Sequence, residues 1–110
     1  MDKFEQYAIN REVVHVYDKA LWELTSGYFT VKSKKLRSCN AVVHETPDYY
    51  VLQSYNTLIA VIVKENYLLI DMLRYVYGYT ATSAKHIVKF RHDYTPYPWN
   101  YQVLTWRKVK

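Results

Sequence analysis

Three apolar runs follow one another in the centre of the chain with only two or three residues between them, and this spacing strongly constrains the fold. The runs are residues 49–55, 58–63 and 67–73, and their connections are residues 56–57 and 64–66. β-branched and aromatic residues dominate the runs, which are short for helices and typical of strands. The connections suit turns, so the sequence predicts an antiparallel meander. Because the middle run is apolar throughout, we expect both faces of the sheet to be covered.

A helix is predicted over about residues 81–92. Thr80, Thr82 and Ser83 offer hydroxyls that can accept from free backbone N–H groups at a helix N-terminus, and apolar residues then recur at helical spacing. Its expected core face consists of Ala84, Ile87, Val88 and the aliphatic stem of Arg91, with Phe90 at the margin. This helix is the expected cover for one face of the sheet.

The N-terminal third of the chain fits two interpretations. Residues 13–17 favour a strand because β-branched side chains lose rotamer freedom in helices, whereas the apolar spacing of residues 13–24 also fits a helix. The strand is the preferred interpretation. Further strands are predicted over residues 28–32, 40–44 and 101–106, and the prolines of residues 94–99 exclude a regular helix there.

The length and the cysteine content define the class of protein. A chain of 110 residues is the size of one domain, so residues 1–110 are predicted to form a single α+β domain with a mainly antiparallel meander. Cys39 is the only cysteine, which excludes an internal disulfide and a multi-thiolate metal site. The first residues do not resemble a signal peptide, and no apolar run approaches the ~20 residues of a membrane-spanning helix. We expect a soluble cytoplasmic protein that does not bind membranes.

Positive charge is concentrated in two blocks of the sequence. The chain has a net charge of +5, and residues 28–44 carry four basic and no acidic residues, while residues 74–110 carry seven basic and one acidic. Such blocks favour an anionic partner such as nucleic acid. The predicted binding residues are Lys32, Lys34, Lys35, Arg37, Lys85, Lys89, Arg91, Arg107 and Lys108, together with Tyr97 and Trp99, whose rings are suited to stacking on bases.

Enzyme signatures are largely missing from the sequence. The two glycines stand 51 positions apart and cannot form a phosphate-binding glycine loop, and the four histidines have no metal-binding spacing. No cofactor, metal or catalytic residue is therefore predicted. Cys39 with His44 as its base, or a tyrosine nucleophile, is kept as an alternative, although a lone cysteine is usually a small buried side chain.

Two motifs carry a resemblance to a group of proteins. Residues 54–60 read SYNTLIA, and residues 77–86 read YGYTATSAKH, with Phe90 following. This pattern resembles small phage- and plasmid-encoded proteins of low-GC Gram-positive bacteria, which show SYxTxIA, then Y[SG]xT and a KH or RH pair before an aromatic residue. The similarity covers about residues 28–92. The motifs also have a purely structural interpretation, in which SYNT forms a turn, Thr80 and Thr82 cap a helix, and His86 hydrogen-bonds inside the domain.

The resemblance implies a mobile-element origin, and by analogy such small proteins often inhibit host defence, as anti-CRISPR proteins do. The leading hypothesis is a non-catalytic protein that inhibits a bacterial defence nucleoprotein through a basic surface. The alternative is a DNA- or RNA-binding accessory or regulatory protein, and the third hypothesis is a small enzyme. The expected partners are accordingly a bacterial defence protein or nucleoprotein, or nucleic acid directly.

Overall fold

The computed structural model describes residues 2–37, 40–77, 80–96 and 102–109. The fold is α+β, as predicted, with a six-stranded sheet that is mostly antiparallel. The elements in chain order are α1 (Lys3–Thr25), β1 (Lys32–Lys35), β2 (Ala41–Glu45), β3 (Tyr49–Ser54), β4 (Thr57–Val63), β5 (Leu69–Asp71), α2 (Leu73–Val76), α3 (Ala81–Tyr94) and β6 (Val103–Thr105).

The strands lie in the sheet in the order in which they occur in the sequence, β1 to β6. The first five form an antiparallel meander, and β3, β4 and β5 lie in the three runs for which the meander was predicted. β6 instead pairs parallel to β5, with Val103 opposite Leu69, because α2 and α3 carry the chain back between the two strands. The last strand is shorter than the predicted 101–106, and Tyr101 lies outside the described residues.

Helices cover both faces of the sheet, so the core has two halves. On one face α3 packs on β3 and β4, and Ile87 and Phe90 join one apolar cluster. On the opposite face α1 packs on β4, β5 and β6, and Val13 and Tyr17 join the second cluster. The interior of β4 is fully buried, which confirms the prediction that this strand is covered on both sides.

The preferred interpretation of the N-terminal third was wrong, because residues 13–17 lie inside helix α1. Asp2 caps this helix by accepting the backbone N–H of Glu5 at 2.9 Å. Val13, Tyr17 and Ala20 follow helical spacing and are buried against the sheet, and this packing outweighs the local β propensity of the valines. The strand predicted over residues 28–32 is also wrong, since β1 begins only at Lys32.

Helix α3 begins where predicted and extends to Tyr94, two residues beyond the predicted end. Its N-cap is Thr80, whose side chain accepts the backbone N–H of Ser83 at 3.1 Å. The expected core face was partly wrong: Val88 is 53% exposed, while Ser83 and His86 are buried and Phe90 lies at the centre of the interface. The helix is rotated relative to the prediction because Ser83 and His86 have hydrogen-bonding partners in the sheet.

Candidate functional site

Strand β1 is an edge strand that carries three lysines. All four of its side chains are exposed, and they alternate between the two faces of the sheet. Lys32 and Lys34 point to the face that α3 covers, where they line a cleft of about 300 Å³ together with Glu45, Tyr50 and Tyr94. Lys35 alternates to the other face at the same edge. The lysines therefore wrap around the free edge of the sheet.

Two lysines of α3 extend this charged edge. Lys85, Lys89 and Asp93 are spaced by four residues, so they form one stripe along the helix. Asp93 pairs with Arg37, which follows β1, so this ion pair joins the C-terminal end of the stripe to the edge that carries β1. We call the resulting patch the basic surface. It consists of Lys32, Lys34, Lys35, Arg37, Lys85 and Lys89.

Two acidic residues lie beside the basic surface, and the first is Asp93. The Arg37 guanidinium donates to both carboxylate oxygens, with Nε–Oδ2 at 2.9 Å and Nη2–Oδ1 at 2.6 Å. His92 Nδ1 lies 3.0 Å from the same carboxylate. The hydrogen bonds from Arg37, followed by that from His92, lower the pKa of Asp93 to about 2. Arg37 thus pairs with a carboxylate of the protein itself, although it belongs to the basic surface.

The other acidic residue is Glu45, opposite Lys32 in the β1–β2 register. Its carboxylate accepts a hydrogen bond from Lys64 Nζ at 2.7 Å, and this bond lowers its pKa. Lys64 also lies 4.9 Å from the centre of the Tyr50 ring. Within the described parts of the chain, no carboxylate lies within 4 Å of the lysines of the basic surface, which are Lys32, Lys34, Lys35, Lys85 and Lys89.

The remaining predicted binding residues do not join this surface. Arg91 is half-buried and lies two positions from Lys89, so it points to another side of α3. Arg107 and Lys108 follow β6 at the far edge of the sheet, where the side-chain amide of Asn10 hydrogen-bonds the backbone N–H and C=O of Arg107. Tyr97 and Trp99 lie outside the described residues.

The residues of the two sequence motifs meet inside the molecule. Ser54 Oγ lies 2.7 Å from His86 Nδ1 and 3.0 Å from Ser83 Oγ, and the Tyr55 ring packs 5.9 Å from the imidazole. Ser54 and His86 are only 1% and 3% exposed, and burial, with a smaller contribution from Lys89, lowers the His86 pKa. The cluster fastens the start of α3 to the β3–β4 hairpin, in agreement with the structural interpretation of the motifs.

A second histidine network lies on the sheet itself and was missed by sequence reasoning. His44 Nδ1 is 2.7 Å from Ser33 Oγ, and His44 Nε2 is 2.8 Å from Gln53 Oε1. Three adjacent strands supply these residues, so their contact depends on register, which the sequence does not show. The suggested partner of His44, Cys39, lies outside the described residues.

The described residues contain neither a cluster of metal ligands nor a membrane-spanning helix. Across 2–37, 40–77, 80–96 and 102–109, no three His, Cys, Asp or Glu side chains are grouped as metal ligands. In the same part of the chain, every helix is too short or too polar to span a membrane. The basic surface is therefore the feature that best combines exposure, charge and continuity.

Residues 23–97 match the model of a family of unknown function, DUF8033. The chain belongs to this family. No curated protein and no solved structure matches it. The DUF8033 region contains β1 to β5, α2 and α3, and hence the whole basic surface and the Ser54–His86 cluster. Most of α1 and all of β6 lie outside it.

Proposed function

We propose that this protein is a non-catalytic binding protein that holds the phosphate backbone of a nucleic acid on its basic surface. The observation that carries the proposal is the grouping of five lysines, from β1 and α3, without a carboxylate within 4 Å among the described residues. Phosphate backbones are bound mainly by such cations, and counterion release drives the association. We place this activity in the cytoplasm of a bacterial host.

The spacing of the lysines supports contact with a repeating anion. Lys32 and Lys34 are two residues apart on a strand, about 6.7 Å along its axis. Lys85 and Lys89 are one helical turn apart, about 6 Å along theirs. Two short rows of positive charge therefore lie on β1 and α3, and the β1 row lines the cleft together with Tyr50 and Tyr94. The rows suit contacts that position a strand without reading its sequence.

The buried motif residues support binding rather than catalysis. A serine hydroxyl and an imidazole at 2.7 Å have the geometry of a nucleophile and its base. At 1% and 3% exposure, however, Ser54 and His86 are closed to a substrate. Their hydrogen bonds are satisfied by each other and by Ser83, so they act as a structural clamp.

The test is fluorescence anisotropy with a labelled 20-nucleotide single strand and a labelled 20-base-pair duplex. Replacing Lys32, Lys34 and Lys35 by Gln removes three charges from β1, and we expect affinity to fall at least tenfold at low salt. The matched control replaces Lys3, Arg107 and Lys108 by Gln, which removes the same charge from exposed positions away from the basic surface. Equal losses in the two variants would show a nonspecific effect of net charge and contradict the proposal.

A second candidate function is inhibition of a bacterial defence nucleoprotein, as the resemblance implies. The free edge of β1 favours it, because an exposed edge strand can pair with a strand of another protein. A pulldown from a bacterial host, with and without nuclease, separates the two functions. A defence protein that stays bound after nuclease treatment supports inhibition, whereas recovery of nucleic acid alone supports the first proposal.

A further inference from the structure

A second cleft, of about 440 Å³, lies on the face of the sheet that α1 covers, away from the α3 stripe. It opens between the second half of α1, the segment after this helix, and the start of β3. Its lining includes Asp18, Trp22, Glu23, Phe29, Asp48 and Tyr49. Neither the proposed nucleic-acid binding nor the family match assigns anything to this cleft.

The cleft contains a buried carboxylate that has no ion-pair partner among the described residues. Glu23 is 5% exposed, and its Oε1 accepts the backbone N–H of Asp48 at 2.7 Å. Among the described residues, its other carboxylate oxygen has no hydrogen-bond donor and no cation lies within 4 Å. That oxygen remains accessible from the cleft, since the described residues include no fully enclosed polar side-chain atom that lacks a partner. A buried charge is costly unless it is paired, so this carboxylate favours a ligand that carries a positive charge.

Aromatic rings form the wall beside this carboxylate. The Trp22 and Phe29 rings lie 5.5 Å apart with 73° between their planes, and Tyr28 lies 6.3 Å from Trp22 on the outer side. Trp22 is 57% exposed although it packs against both. A tryptophan face beside a carboxylate is the environment in which a cation gains most from the ring quadrupole.

The remaining charges around the cleft favour an organic cation. Asp18 and Asp48 add two carboxylates, against the ammonium of Lys19 and the imidazole of His15. Burial, followed by the charges of Glu23 and Asp48, raises the pKa of Tyr49. No group of metal ligands occurs here within the described residues, so a metal ion is not indicated. A planar guanidinium fits best, because it both stacks on indole and donates to a carboxylate.

The cleft continues into a neighbouring depression. This depression shares Lys19, Asp48 and Tyr49 with the cleft and extends to Val63, Lys64 and Glu65. It gives room for the main chain on either side of an inserted side chain. A peptide therefore fits the site better than a free small molecule.

We propose that this cleft binds an arginine side chain presented by a partner protein. Glu23 accepts the guanidinium N–H groups through its free oxygen, and the guanidinium plane stacks on the exposed face of Trp22. The site is independent of the basic surface, so the two can be occupied together and tested separately.

The test uses NMR titration with Nα-acetyl-arginine N-methylamide, with the citrulline analogue as the neutral isostere. We expect saturable shifts, in the millimolar range for so small a probe, of the Trp22 indole N–H and of the Phe29 and Tyr49 amides. Citrulline should produce none of them. The lysine and trimethyl-lysine analogues test the choice of cation, and tighter binding of either would contradict the assignment to arginine.

Glu23→Gln separates ligand binding from a structural function of this residue. The amide oxygen can still accept the Asp48 N–H, whereas the charge is lost. We expect the arginine shifts to disappear and the unfolding temperature to rise, because an unpaired buried charge has been removed. Unchanged arginine binding in this variant, or a large loss of stability, would overturn the proposal. Trp22→Leu, at an exposed position, should weaken binding at unchanged stability.

Discussion

Single residues determine how the two motifs act, and Ser54 is the clearest case. Its hydroxyl joins Ser83 and His86, so one substitution leaves two buried polar groups short of a partner. We expect Ser54→Ala to lower the free energy of unfolding by about 1–3 kcal/mol in urea denaturation. Asn56→Ala, in the exposed turn two residues later, should change it by less than about 0.5 kcal/mol. Equal effects would contradict the clamp.

The buried imidazole of His86 gives the fold a pH dependence. Its pKa is lowered from 6.5 in the folded state, so the unfolded state binds the proton more readily. The stabilisation from the neutral imidazole is complete above pH 6.5 and is lost as the pH falls towards the folded pKa. We expect wild-type stability to decrease below about pH 6.5 more steeply than that of His86→Gln. Parallel pH profiles would show that His86 is not buried in its neutral form.

Removing the charge of Asp93 has two opposing effects on the basic surface. Removing its charge breaks an ion pair, yet it also removes an acid from the basic surface. We expect Asp93→Asn to tighten nucleic-acid binding by roughly 2- to 5-fold, the factor that corresponds to ~0.5–1 kcal/mol for an exposed charge. Anisotropy at low salt measures it. Weaker binding would mean that the ion pair positions the surface.

At the scale of elements, sequence signals were reliable where local and long-range preferences agree. The strands β3 and β4 combine β propensity, apolar composition and short turns, and both were predicted. Residues 13–17 have the same local propensity but form part of a helix, because Val13 and Tyr17 pack on the sheet as members of a 23-residue amphipathic segment. Whether residues 13–17 form a helix or a strand therefore depended on packing against the sheet, which the local sequence pattern does not show.

Local spacing also failed to identify which side of α3 packs in the core, and two substitutions test the packing. Apolar spacing placed Val88 in the core and Phe90 at its margin, whereas Ser83 and His86 turn the helix towards Ser54. We expect Phe90→Ala to cost about 3–5 kcal/mol of unfolding free energy. Val88→Ala should cost less than about 0.5 kcal/mol, since the side chain is exposed. A larger loss for Val88→Ala than for Phe90→Ala would mean that the face predicted from the sequence packs in the core.

The basic surface was only partly predictable, because its assembly depends on contacts between residues that are distant in the sequence. The lysines of β1 were identified from their sequence block. The pairing of Arg37 with Asp93 joins residues 56 positions apart and depends on the path of the chain. The separation of Arg107 and Lys108 from the other cations likewise follows from the parallel β5–β6 pair at the far edge.

At the scale of the whole molecule, charge is divided between the two faces of the sheet. The lysines of α3 and most of those of β1 lie on one side, and the carboxylate-rich cleft beside α1 lies on the other. Such a division suits a protein that holds an anionic chain on one face and a cationic side chain on the other. The two sites lie on opposite faces of one sheet, and ligand binding at each of them is measured separately.

The salt dependence of nucleic-acid binding shows most directly whether the basic surface binds a phosphate backbone. If the basic surface neutralises about four phosphates, log K against log salt concentration should fall with a slope of about −3 to −4, and Lys85→Gln with Lys89→Gln should flatten this slope by about 1–2. A slope near zero for the wild-type protein, or the same slope in the double variant, would contradict the assignment of this surface to a phosphate backbone.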